Sequence, residues 1–187
     1  MLWMSAGLGT LLVALLVATA PAGNRGDDTA KAKLSGFEEV PPVSTTGDGR
    51  FKATIRDSSI EYKLEYSDLD GTAQAAHIHF GQERVNGGII AFLCGGEGTP
   101  ACPPSGTVTG TITADDIIGP ASQGIEPREF DEALRAIRSG NTYANVHTAP
   151  DFSGGEIRGQ IDGDDDGDDD DDNNGKNGRG NDERDDD

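Results

Sequence analysis

Histidine, cysteine and aromatic residues are scarce in this 187-residue chain, which has three His, two Cys and 5% Phe, Trp and Tyr together. Two thiols cannot build a multi-cysteine zinc framework, because structural zinc takes four ligands. With so few rings, a core must be made of Ile, Leu, Val and Ala, which is adequate for this size but not generous. Positive charge is short as well: 15 Lys and Arg face 34 Asp and Glu, a net of −19. A chain this negative repels phosphate backbones and anionic membranes, which excludes nucleic-acid binding through a basic patch. The length fits one domain with attachments and not two full domains.

Both ends are unlike the middle. No charged side chain occurs from Met1 through Asn24. Residues 8–20 form a compact apolar run, and Ala20-Pro21-Ala22 follows with the small-x-small pattern of a signal-peptidase site. The run is short of the ~20 apolar residues that a membrane span needs. Residues 1–22 therefore read as a signal peptide or a retained N-terminal anchor, the latter kept open because no Lys or Arg precedes the run. Residues 23–31 read as a linker, and the rest of the chain is expected outside the cytoplasm, secreted or on the cell surface. At the other end, residues 162–187 hold 14 Asp and Glu against 3 Lys and Arg, with no apolar side chain. Such a segment cannot offset chain entropy by burial and reads as a disordered, Asp-rich tail. It is either a solvated tail that keeps the protein soluble or a weak Ca²⁺ sponge, without the spaced ligands of an EF-hand.

Between them, the dominant period is two. Phe51, Ala53 and Ile55 alternate with polar residues, as do Ile60, Tyr62, Leu64 and Tyr66, then Val108 and Ile112, then Ile157 and Ile161. Gly47-Asp48-Gly49, Asp57-Ser58-Ser59 and Asn86-Gly87-Gly88 punctuate the runs. One segment, residues 127–139, has a different period. There Phe130, Ala133, Leu134 and Ile137 recur at helical spacing, acids lead, arginines follow, and Gly140 ends it. Seven or eight short strands and one helix predict an all-β, Greek-key antiparallel sandwich. Cys94 and Cys102, an even pair in an exported chain, predict a disulfide that closes a Gly/Pro-rich loop.

Chemistry concentrates on the histidines. His77 and His79 stand at i and i+2 in Ala76-His77-Ile78-His79-Phe80, so both imidazoles project from one strand face while Ala76, Ile78 and Phe80 fill the core. His147 lies on the polar face of a second predicted strand, with Ala144 and Val146 inward. If the strands are neighbours, three neutral imidazoles meet and suit one copper or zinc ion. The bland alternative is a hydrogen-bonded surface pair, or a buried polar cluster. No nucleophile elbow, phosphate-binding glycine loop or His-Glu-x-x-His is present. The segment Gly154-Gly155-Glu156-Ile157-Arg158-Gly159 reads as a tight turn into a strand, with Glu156 and Arg158 on its exposed face.

Three blocks then resemble one family. Leu34-Ser35-Gly36-Phe37-Glu38-Glu39-Val40-Pro41-Pro42, Ala76-His77-Ile78-His79 and the pair Gly140-Asn141-Thr142-Tyr143-Ala144-Asn145-Val146-His147-Thr148 with Gly155-Glu156-Ile157-Arg158-Gly159-Gln160-Ile161 look like the CHRD domain, the repeated module of chordin. The resemblance covers residues 32–161 and places all three histidines on the family's characteristic positions. A weaker likeness, in the His-x-His strand, is to the copper-binding strand of Cu/Zn superoxide dismutases, and it implies the same Greek-key sandwich. No further His remains here for a bridging ligand or a separate zinc site. The resemblance implies a binding module whose partner is an extracellular protein or polysaccharide. Two other readings stay open: a mononuclear copper enzyme acting on superoxide or a related small oxidant, and a Ca²⁺-linked surface or matrix protein that works through its tail.

Overall fold

The computed structural model describes residues 28–96 and 98–163. Residues 1–22, read as a signal or anchor segment, residues 23–27 and the segment beyond Gly163, read as a tail, lie outside the described residues. Eight strands follow one another: β1 (Asp28–Ser35), β2 (Asp48–Arg56), β3 (Ser59–Ser67), β4 (Thr72–Phe80), β5 (Gly88–Cys94), β6 (Gly106–Ile112), β7 (Thr142–Ala149) and β8 (Ile157–Ile161), with helix α1 (Phe130–Arg138) between β6 and β7. All pairings are antiparallel, and the strand order is β5-β4-β7-β8-β1-β2-β3-β6. The meander β1–β3 leaves its half through β3, and β4 starts in the other half. The chain returns to β3 only as β6, which makes the Greek key.

The halves β5-β4-β7-β8 and β1-β2-β3-β6 meet across one core. Phe51, Ile60, Leu64, Ile78, Leu93, Val146, Ile157 and Ile161 are among its buried members, and α1 adds Phe130, Leu134 and Ile137. Tyr62 of β3 donates its hydroxyl to Leu93 O of β5 (2.7 Å), so a core ring carries a satisfied polar tip. The predicted disulfide joins Cys94, the last residue of β5, to Cys102. β8 and β1 join the halves, with Ser35 opposite Arg158. A Cβ on Gly159 would stand 2.2 Å from Lys33 O, so the approach of these two strands requires glycine there.

Two boundaries and one burial assignment differ from the sequence reading. β1 begins at Asp28, inside the segment read as a linker, because Asp28, Thr29 and Ala30 continue its register against Ile55, Thr54 and Ala53. The helix starts at Phe130, not at 127, because Arg128 sits at φ 72°, which a right-handed helix cannot contain. Glu156 and Arg158 are not exposed but 0% and 2% accessible. Both faces of the β4-β7-β8 half are covered, the outer one by the segments 36–46, 81–87 and 150–155, so alternation there separates two interiors. Among the described residues, no helix is long and apolar enough to cross a membrane.

Candidate metal centre

Strand register brings the histidines together. On β4 and β7, Ala75 lies opposite His147, His77 opposite Asn145, and His79 opposite Tyr143. Residues opposite each other share a face, so all three imidazoles lie on the outer, covered face, while Ala76, Ile78, Ala144 and Val146 fill the core. Ring centroids are 4.7 Å apart for His77 and His147, 5.3 Å for His77 and His79, and 5.8 Å for His79 and His147. One ring nitrogen from each lies within 4.8 Å of the other two.

The hydrogen bonds set the tautomers. His79 Nδ1 is 3.0 Å from Gly87 O and His147 Nδ1 is 3.1 Å from Ser153 O. A carbonyl only accepts, so each Nδ1 carries the proton and each Nε2 keeps its lone pair. Those two Nε2 atoms, and both nitrogens of His77, are buried without a hydrogen-bond partner. Orphaned buried nitrogens cost about 1–3 kcal/mol each when nothing satisfies them. Burial, with the neighbouring His147 and His79, pushes His77 down to about 3. Burial likewise pushes His79 to about 4, against the hydrogen bond to Gly87, and it lowers His147. At neutral pH the cluster is therefore three uncharged imidazoles, the form that binds a metal. Zn–N bonds of about 2.1 Å allow ligand nitrogens at most about 4.2 Å apart. The 4.8 Å spread of this set lies slightly above that limit, so holding an ion requires the rings to close in.

A second set of residues holds the cluster in place. Tyr143 stacks on His79, with centroids 4.7 Å apart and an interplanar angle of 2°. The Arg158 guanidinium carbon lies 3.4 Å from the Tyr143 ring centroid. Arg158 also donates to Gln82 O, Val85 O and Asn86 Oδ1 (3.0, 2.9 and 3.2 Å), and this clamps the loop whose Gly87 carbonyl orients His79. Gly87 N donates to Tyr143 Oη (3.1 Å). A Cβ on Gly87 would lie 1.7 Å from Phe80 O, so only glycine lets the loop close this tightly. Phe92 packs edge-on against His77 with centroids 4.5 Å apart.

Two buried carboxylates frame this face. Asn145 Nδ2 donates to Glu39 Oε1 (2.5 Å) and to Ile157 O (2.8 Å). Burial drives Glu39 up to about 7, against the Asn145 hydrogen bond and the Arg158 charge. Glu156 accepts from Thr45 Oγ1, Thr148 Oγ1, Asp70 N and Gly71 N at 2.7, 2.6, 2.6 and 3.3 Å. Burial raises its pKa, but these hydrogen bonds outweigh that and hold it below the usual carboxylate range.

The sequence reading singled out the three histidines but gave no role to Tyr143, Asn145 or Glu39, and it misplaced Arg158 and Glu156. For Tyr143, Asn145, Glu156 and Arg158 the signal was a dense run of polar residues within strands of the last third, and for Glu39 it was the resemblance block at residues 34–42. The CHRD domain model matches residues 30–161. The chain belongs to the CHRD family. All three histidines and their supporting residues fall inside the matched CHRD region. No curated protein and no solved structure matches the chain.

Proposed function

We propose that this CHRD protein is an exported binding module that holds one copper or zinc ion through His77, His79 and His147. The observation that carries this reading is the convergence of three buried, neutral imidazoles whose free nitrogens lie within 4.8 Å and lack any other partner. A purely structural cluster would pair those nitrogens with protein donors or acceptors, as the other ring nitrogens of His79 and His147 are paired. Imidazole sets of this kind suit Cu²⁺ and Zn²⁺. Burial of the free nitrogens favours holding an ion over turning over a substrate, so the module reading stands ahead of the copper-enzyme reading. Export rests on the apolar run and cleavage-type site at the amino end. The extracellular protein or polysaccharide partner that a CHRD module implies is part of the same reading.

Elemental analysis and Cu²⁺ and Zn²⁺ titration of the full chain test it, beside His77→Ala, His79→Ala and His147→Ala. One equivalent of tightly held ion, lost in each variant, is the expected result. Equal binding by the parent and all three variants would assign any bound metal to the carboxylates and leave the histidines structural.

A further inference from the structure

The negative charge of the whole chain conceals a basic face. Residues on β1, β2 and β3 that point away from the core include Lys31, Lys33, Arg50, Lys52, Arg56 and Lys63, all exposed. The carboxylates on that face are Asp48 at one end, Glu61, which pairs with Arg56, and Glu65, which pairs with Lys63. Lys31, Lys33, Arg50 and Lys52 make no ion pair among the described residues. Register sharpens the pattern: Lys31 lies opposite Lys52, and Lys52 opposite Lys63, so three ammonium groups form one row across three strands. Like charges directly opposite on a sheet repel one another. Glu65 at one side of the row offsets part of this repulsion, since Lys63, Lys52 and Arg50 together hold its carboxyl below the usual range, and a further anion over the row would offset the rest.

The end of the described chain points to that anion. Beyond β8, Asp162 bridges to Lys31, with Asp162 N donating to Lys31 O (2.9 Å). Opposite residues share a face, so Asp162 extends the lysine row, and its position reads Asp162, Lys31, Lys52, Lys63 across four strands. Residues 164–172 then add eight aspartates and one glycine. Four neighbouring strands span roughly 14 Å, and nine extended residues reach roughly 30 Å. A segment tethered at this edge acts at millimolar effective concentration, whereas a free polyanion must approach a chain of net −19.

We propose that the aspartate run 164–172 lies back across the Lys31–Lys52–Lys63 row of its own chain. The contact is electrostatic and multivalent. It keeps the basic face from other polyanions and weakens as salt rises, because at about 1 M salt the screening length falls to about 3 Å.

Lysine acylation followed by mass spectrometry tests this on the full chain, beside a full-length variant whose eight aspartates in 164–172 are asparagine. At low salt, Lys31, Lys52 and Lys63 of the native chain should react at least about threefold more slowly than in the variant, and about 1 M salt should erase the difference. Equal rates at low salt overturn the proposal. Protection that disappears on dilution assigns the anion to a second copy and overturns it too. Dextran sulfate gives the last arm: the variant should bind it through the lysines, with Lys52→Gln in the variant background weakening that binding, and the native chain should bind it more weakly. Equal affinity for both chains would mean that the face is open to external polyanions.

Discussion

Arg158 covers the ring of Tyr143, with its guanidinium carbon 3.4 Å from the centroid, and Tyr143 in turn lies parallel to His79. One cation thus fixes the His79 imidazole through an intervening ring and clamps the loop that gives His79 its tautomer. Replacing Arg158 by Ala strands the Gln82 and Val85 carbonyls and should cost about 3 kcal/mol of stability. In the metal site proposed above, loss of such orienting contacts should also weaken ion binding about 10- to 100-fold. Lysine at this position should restore neither, since it lacks the planar fork. Denaturant unfolding and copper titration of both variants check this.

The histidines make metal-free stability pH-dependent. His77 and His79 fall from their ordinary value of 6.5 to about 3 and about 4, so between those limits the unfolded chain binds protons that the folded chain does not. Stability then rises with pH, and it is lost as pH falls from about 6.5 towards 4, by about 1.4 kcal/mol per pH unit for each histidine in that window. Urea unfolding of the metal-free protein at pH 7 and pH 5 should show the loss, and His77→Gln should reduce it. Glu39 acts in the opposite sense over part of this window, so the His77→Gln difference is the decisive readout: an unchanged pH 7 to pH 5 loss in that variant would mean that His77 accepts its proton inside the fold.

Glu39 works in the opposite direction. Its folded pKa is raised from 4.5 to about 7, so between those values the folded chain keeps a proton that the unfolded chain has released, and stability falls as pH rises. Gln at this position still accepts from Asn145 and never carries the buried charge. Glu39→Gln should be close to neutral below about pH 5 and stabilising relative to the parent at pH 8. Paired unfolding curves at the two pH values distinguish this from a uniform shift.

Glu156 ties four separate donors to one carboxylate. In Glu156→Gln one acceptor oxygen becomes a donor facing donors, and the expected cost is about 2–4 kcal/mol. Its lowered pKa adds stability above the ordinary carboxylate range, lost as pH falls through the folded value. In the variant, the acid-sensitive part of the unfolding free energy should shrink, which a comparison at pH 7 and pH 4 reads directly.

Much of this was legible in the chain. Alternation at Phe51-Lys52-Ala53-Thr54-Ile55 and along Ile60 to Tyr66 is enough to specify strands with one wet face, and that face is the one carrying the lysine row. The i, i+2 spacing of His77 and His79 put two imidazoles on one side of a strand, and Cys94 with Cys102 paired as an even count implied. These are local properties, set by backbone period and side-chain type, so one sequence suffices to read them. What tertiary structure alone decided was which polar faces are wet. Arg158 and Glu156 alternate with Ile157 in the same pattern as Lys52 and Thr54 do with Ala53, yet they are buried because distant segments fold over β7 and β8 and supply carbonyls, amides and hydroxyls as partners. The third histidine reaches the other two by the same route. His147 is 68 positions beyond His79, and only the pairing of β7 with β4 sets it opposite Ala75. A strand's period records that two faces differ, but what covers each face depends on contacts between residues far apart in the chain.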